Sequence, residues 1–450
     1  MNSRRCPFGK DRVISWKGAL LILGALLLSL RCQASAADRL PSMAEPGERS
    51  FKFSGEVKAI GSASWPGSDT LIQPEGSKTF YDGLFEGRLK GQAFFTDWVN
   101  VDIQDVIGIT GGNTRQASGQ SATPLFLSQG DLPGSPPSDD RQLLNMSWTH
   151  ATGREFVAYD RVDRLALTLK KDALLATLGR QAITWGNGLI FNPMDLINPF
   201  GPTDVVREYK VGQDMAFAQV SVGSFANVQL LWAPRRDPDT ELVKEEQSAY
   251  AVKGHIAVGN TDLDIVAAKN FGDKIIAGGA NGQLGGAVWR ADVLWTFPRD
   301  GNQSTYLSGV ANLDYSWVWW GRNWYGYIEA YYNGAGKYNY GFAVNDTYIQ
   351  RKINEGVLFT LGKWYGDTTV RVELHPLVNA YLTVISNVED PSFIVQPRVS
   401  WDITRSLRLT AWGNIAAGRK GSEFGGFTVP GTSLTQTPPN GGFAWISYYF

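Results

Sequence analysis

Thr369-Val370-Arg371-Val372-Glu373-Leu374-His375 decides the fold, because apolar and ionisable side chains alternate along it one for one. Successive side chains of a strand point to opposite faces. Val370, Val372 and Leu374 therefore share one face, and Arg371, Glu373 and His375 the other. The same pattern extends outward. Phe393, Val395, Pro397, Val399 and Trp401 oppose Ile394, Gln396, Arg398 and Ser400, and Leu407, Leu409, Ala411 and Ile415 oppose Arg408, Thr410, Trp412 and Asn414. Upstream, Trp289, Val293, Trp295 and Phe297 oppose Arg290 and Asp292, while Phe85, Leu89 and Ala93 oppose Glu86, Arg88, Lys90 and Gln92. Candidate strands run about 9 to 16 residues. Soluble strands centre near 5 to 6, and tilted membrane-crossing strands need roughly 9 to 11. Long strands with one greasy and one charged face predict an all-β chain: a transmembrane antiparallel barrel with lipid outside and water inside.

Composition agrees. The 450 residues include 50 Gly, 16 Trp, 17 Tyr and 22 Phe, yet mean hydropathy is only -0.19. A net charge of -1 offers no electrostatic footprint for nucleic acid. Arg4, Arg5, Lys10, Arg12 and Lys17 precede the uncharged run Ala19–Leu30, and Ala34-Ser35-Ala36 follows. That is the pattern of a secretory signal over 1–36. A twin-arginine reading of Ser3-Arg4-Arg5 is disfavoured by Cys6-Pro7, and a lipoprotein site at Cys32 by Arg31. Six of the 42 basic residues and one of the 43 acids fall in 1–36, so a chain starting at Ala37 carries 36 and 42, a net of -6. Cys6 and Cys32 leave with the signal. The remainder then has no disulfide and no thiolate for zinc, iron–sulfur or c-type haem. The expectation is no cofactor and no metal.

The alternation places eighteen strands between 52 and 450, or sixteen if the glycine-rich 274–280 is excluded. Residues 37–51 are then a short periplasmic lead-in, too short for a plug domain. Short connections (171–172, 224–226, 321–322, 377–378, 402–405) alternate with long ones (63–81, 111–154, 185–212, 235–246, 334–361, 419–440). That asymmetry is expected of outer-membrane barrels, with short turns and the C-terminus in the periplasm. Trp98, Trp232, Trp317, Trp319, Trp320, Trp324, Tyr331, Tyr332, Trp364 and Trp401 fall at strand ends, as interfacial girdles require. The segment 111–154, with Gly134-Ser135-Pro136-Pro137, reads as a mobile external loop, and Asp139-Asp140 as a solvated acidic turn.

Two resemblances sharpen this. Gly442-Phe443-Ala444-Trp445-Ile446-Ser447-Tyr448-Tyr449-Phe450 resembles the closing strand of bacterial outer-membrane barrels, which implies that Phe450 is the signal read by the barrel insertion machinery. Leu178-Gly179-Arg180-Gln181-Ala182-Ile183-Thr184-Trp185-Gly186-Asn187 resembles the Gly-Arg-Gln…Trp-Gly motif of proteobacterial porin-like outer-membrane barrels. Asn192–Phe200, Glu329–Gly334, Asn387–Phe393, Gln396-Pro397-Arg398 and Gly421–Gly425 are similar to the same group. The resemblance covers about 155–450. It implies a passive channel in the outer membrane of a Gram-negative bacterium, in contact with lipid and lipopolysaccharide, and names no solute.

The inward face supplies the candidate pore lining: Lys58, Arg88, Lys90, Arg180, Arg290, Arg371, Arg398 and Arg408, against Glu56, Glu86, Asp292 and Glu373. A surplus of cations favours anions. The competing reading is cross-strand pairing that only holds the wall. Asn192-Pro193 and Asn198-Pro199 stiffen 185–212. If it folds inward as a constriction loop, Asp195, Asp204, Arg207, Glu208 and Lys210 line the eyelet. If it packs outside, they do not. No catalytic motif is present and only His150, His255 and His375 could act as bases, so an enzyme is not expected. The rivals to a diffusion channel for small hydrophilic solutes are a sheath around a partner such as a multihaem electron conduit, and an export channel for a polymer. Homo-oligomeric state is not encoded legibly.

Overall fold

The computed structural model describes residues 50–67, 79–118, 136, 138–204 and 206–450. The expected signal peptide and residues 37–49 lie outside them. The first strand starts at Ser50, two residues earlier than the alternation indicated.

The strands are β1 (Ser50–Trp65), β2 (Phe80–Thr96), β3 (Val99–Gly112), β4 (Ser147–Thr152), β5 (Phe156–Lys171), β6 (Leu174–Gln181), β7 (Gln213–Val222), β8 (Ala226–Ala233), β9 (Ala249–Val258), β10 (Thr261–Asn270) and β11 (Asp273–Leu284). There follow β12 (Ala287–Phe297), β13 (Tyr306–Trp319), β14 (Arg322–Tyr332), β15 (Trp364–His375), β16 (Val378–Asn387), β17 (Ser392–Asp402), β18 (Leu407–Ala417), β19 (Phe427–Thr428), β20 (Thr435–Gln436) and β21 (Asn440–Tyr449). Each wall strand pairs antiparallel with its neighbours, and β1 pairs with both β2 and β21, which closes the sheet. With β4, β19 and β20 set aside, the wall is an eighteen-stranded barrel. Closure leaves no edge strand with unpaired backbone groups, which hydrocarbon would not tolerate.

Outward residues form an apolar band: Leu89, Ile107, Leu167, Leu230, Ile265, Val293, Leu313, Ile328, Leu382, Val399 and Ile446 are all exposed. Aromatics flank it. Phe53, Trp98, Phe225, Trp319, Trp401 and Phe450 mark the short-turn end, and Trp65, Tyr81, Trp148, Trp232, Trp295 and Trp364 the other. Such aromatic girdles sit where hydrocarbon meets water.

The wall is low at β6, eight residues long beside sixteen-residue β5. β4 pairs with the free upper part of β5 and fills the gap. A buried charge network holds this patch. Arg161 Nε donates to Asp139 (2.9 Å), Arg180 donates to Asp139 (2.8 Å) and Asp214 (2.8 Å), and Arg88 donates to Asp163 (2.8 Å). Asp139 is therefore not a solvated acidic turn. It is buried between two guanidiniums, while Asp140 alone is exposed. Burial by itself would raise the Asp139 carboxyl, but Arg161 and Arg180 outweigh that and hold it below its ordinary value.

Candidate functional site

The segment 182–212 between β6 and β7 lies across the inner face of the wall, and the Gly-Arg-Gln…Trp-Gly residues anchor its start. Gly179 has φ +114°, and a Cβ there would overlap the Leu165 carbonyl. That close approach sets Arg180, which also donates to the Leu144 carbonyl at 2.6 Å. Gly186 has φ +86°, and a Cβ there would strike the Asn192 side chain, which bonds the Trp185 carbonyl at 3.0 Å. The buried Trp185 indole donates to Gln229 at 2.8 Å.

Inward-facing polar residues of distant strands then capture the segment. Asp292 accepts from the Asn187 backbone N–H (2.6 Å) and side-chain amide (2.6 Å). Glu329 accepts from the N–H groups of Leu189 (2.7 Å), Ile190 (3.0 Å) and Phe191 (2.8 Å), and from Asn312 (3.0 Å). Phe191 stacks on Tyr331, ring centroids 4.6 Å apart. Trp185, Met194, Leu196 and Ile197 pack on Met215, Leu231, Ala251, Val266, Ile275 and Leu294 from β7–β12. The chain then reaches β1 and β2. The Val206 carbonyl accepts from Lys58 (3.3 Å), and Tyr209 accepts from Lys90 (2.8 Å), whose ammonium lies 4.0 Å from the Tyr209 ring centroid.

Of the candidate eyelet residues, Asp195 and Lys210 bond each other at 2.5 Å and are buried. Burial pushes Asp195 up to about 6 against the pull of Lys210, and burial lowers Lys210. Asp204 accepts from Arg207. Glu208 is the exposed member, 3.6 Å from Lys58 and 3.2 Å from the Tyr449 hydroxyl.

The candidate pore lining divides in two. Lys58 lies 3.5 Å from Glu56, Arg290 pairs with Asp314 (2.6 Å) and Arg408 with Asp402 (2.6 Å), and Arg88 and Arg180 belong to the buried network. The two acids that hold the segment, Asp292 and Glu329, are 1% and 4% exposed. Glu86 faces Tyr159, and Glu373 accepts from Asn323 at 3.1 Å. Like Lys90, which bonds the Tyr209 hydroxyl, Arg371 and Arg398 differ: neither has a carboxylate within ion-pair distance among the described residues, and both are part-exposed. They belong to one register line, Tyr325–Arg371–Tyr381–Arg398–Trp412–Phe443, one residue per strand from β14 to β21. Arg398 lies 4.0 Å from the Tyr381 ring centroid and Arg371 5.5 Å from that of Tyr325. Arg371 Nε and the Trp412 and Trp445 indole nitrogens are buried donors with no partner among the described residues. The line runs from the short-turn end of β14 to the loop end of β21.

Other long connections also fold inward. In the helix Thr347–Asn354, Tyr348 and Lys352 bond Asp273 at 2.9 and 2.6 Å. A cavity of about 90 Å³ remains among Phe191, Pro193, Phe200, Tyr331, Lys352 and Leu358. His375 is exposed at a turn, where its Nδ1 takes the Leu377 N–H at 3.2 Å, a local structural contact.

No protein-family model matches the chain, and no curated protein matches it. Solved structures do. Acinetobacter baumannii OccAB1 aligns over 92% of this chain and 99% of its own at 7% identity and a TM-score of 0.52. Pseudomonas aeruginosa OccK9 (OpdG) aligns over 89% and 98% at 9% identity and 0.52. The outer membrane protein OpdK of Pseudomonas aeruginosa aligns over 89% and 98% at 9% identity and 0.50. The chain has the fold of the outer-membrane β-barrel porins, a closed antiparallel barrel of eighteen strands. At these identities the likeness is one of fold.

Proposed function

We propose that this protein is an outer-membrane channel for passive diffusion of small hydrophilic solutes, with a preference for anions, short turns and C-terminus in the periplasm, and segment 182–212 as its constriction. The observation that carries the anion preference is the contrast between charges. The acids Asp292 and Glu329 are covered by the segment they hold, whereas Arg371 and Arg398 have no carboxylate within ion-pair distance among the described residues and keep contact with water. Exposed charge of one sign on a narrowed lumen attracts the opposite ion. Stacking on tyrosine leaves the guanidinium edges free for in-plane hydrogen bonds. A sheath around a partner chain requires an empty bore, and the inward segments argue against one.

The test is single-channel recording in planar bilayers. Purified protein should conduct, and the reversal potential in a potassium chloride gradient should show anion preference. The double variant Arg371→Gln, Arg398→Gln should lose that preference while still inserting. Absence of current would sink the channel, and cation preference would sink the charge argument alone.

A further inference from the structure

Asp367 is the least explained buried charge in the barrel. It lies on β15, faces inward and is 4% exposed, and neither carboxylate oxygen has a hydrogen-bond donor among the described residues. Its register partner across β14–β15 is Glu329, the residue that takes the three backbone N–H groups of the segment. Directly opposite side chains in an antiparallel pair stand about 5 Å apart. Two carboxylates at that separation, both out of water, cannot both remain ionised without a cation between them.

No cation faces them among the described residues. On β14 the inward neighbours are Tyr327 and Tyr331. Tyr327 takes the Thr369 hydroxyl at 3.0 Å and offers Asp367 no positive charge. On β13, Asn312 is neutral and Asp314 is paired with Arg290. On β16 the register partner of Asp367 is Ile385, which is apolar and buried. On β15 itself, Tyr365 donates to Glu423 at 2.5 Å, and Arg371 lies four residues away, about 13 Å along the strand. The segment presents only backbone N–H groups and the apolar side chains of Leu189, Ile190 and Phe191. A metal ion fits poorly, because all the oxygen capacity of Glu329 is taken by four N–H donors and only Asp367 would remain to bind it.

We propose that Asp367 and Glu329 together bind one proton, and that this proton keeps segment 182–212 docked on the wall. Asp367 carries it as a neutral carboxyl group, and Glu329 stays an anion that accepts the N–H groups of Leu189, Ile190 and Phe191. Loss of the proton in alkaline solution places two unscreened anions side by side. Glu329 and the backbone it holds are then driven off the wall. The docked segment thus becomes a pH-dependent element of the lumen, closed when the pair holds its proton and loosened when it does not. Its effect on current rests on the constriction reading above, but the docking itself does not.

Amide hydrogen exchange at Leu189, Ile190 and Phe191 in the folded, detergent-solubilised protein tests the docking without any current. Asp367→Asn keeps the shape and neutrality of the protonated side chain and serves as the reference for intrinsic base catalysis of exchange. The wild type should exchange at least about tenfold faster than Asp367→Asn at alkaline pH and equally at acidic pH, as expected for a few kT of repulsion. Wild-type conductance should step up over the same range with a one-proton dependence, and Asp367→Asn should abolish the step. Equal exchange in the two proteins at every pH would overturn the proposal. Pronounced exchange differences with a flat conductance would keep the proton site and remove segment 182–212 as the constriction.

Discussion

Arg180→Met should be among the most destabilising single changes in the wall, and its cost can be worked from its contacts. The guanidinium is fully buried and donates to Asp214 (2.8 and 3.1 Å), Asp139 (2.8 Å) and two backbone carbonyls. Asp139 would retain Arg161 at 2.9 Å. Asp214 would not be rescued: apart from Arg180, its carboxylate takes only the Leu144 N–H, at 2.8 Å, among the described residues. Removing one partner of a buried ion pair costs about 3–5 kcal/mol, chiefly because the other charge is left uncompensated. Arg371→Met is the matched control, the same residue type on the same inner face, but with no ion pair among the described residues. It should cost less than about 1 kcal/mol. The double variant Arg180→Met, Asp214→Leu should recover most of the loss, since it removes the stranded charge too. Urea unfolding of the folded barrel, followed by tryptophan fluorescence, reads all three through the midpoint at constant slope. If Arg180→Met and Arg371→Met lie within about 1 kcal/mol of each other, the distinction between paired and free lumen arginines has no energetic content.

Ile265→Arg, on the outward face of β10 in mid-strand, should destabilise the inserted barrel by about 2–4 kcal/mol, whereas Arg398→Met on the inner face of β17, where no carboxylate lies within ion-pair distance among the described residues, should leave insertion efficiency unchanged. Deleting 189–206 should raise single-channel conductance, and an unchanged value would show that the segment does not limit flow. Glu423 gives a pH prediction with a definite sign. Burial lifts its carboxyl from 4.5 to about 7, against hydrogen bonds from Tyr365, Leu361 and Asn387 that pull it down. A folded value above the unfolded one means that docking of segment 418–439 is strongest in acid and weakens as pH rises through about 7. Thermal stability should fall over that window in the wild type and stay flat in Glu423→Gln.

Several features of the site were legible before the fold was known. The inward residues Arg371, Arg398, Arg290 and Asp292 follow from parity alone. That 182–212 lies inside was hidden, though a trace of it exists. β8–β11 carry apolar residues on both faces, with Ala233, Ala249, Ala251, Val266, Ile275 and Ala277 pointing inward. A strand that faces lipid outside and carries apolar residues along part of its inner face must have that part covered by something within the lumen. The charge tally misled for the opposite reason. Counting eight bases against four acids omitted Asp139, Asp163, Asp214 and Asp314, which neutralise four of those arginines or their neighbours and come from other strands or a loop.

Period-two alternation is a local property, so the sequence by itself determined the strands, their faces, the lipid band and the antiparallel barrel. It also marked Gly179 and Gly186 as special positions, without showing that the first admits the Leu165 carbonyl and the second the Asn192 side chain. Only the tertiary structure decided which inward charges are spent on one another and which remain. Asp139, Arg180 and Asp214 meet across a loop and two strands, and Asp367 meets Glu329 through a register that spacing along the chain does not encode. Electrostatic pairing acts through distance in space, and that distance exists only after the sheet has closed.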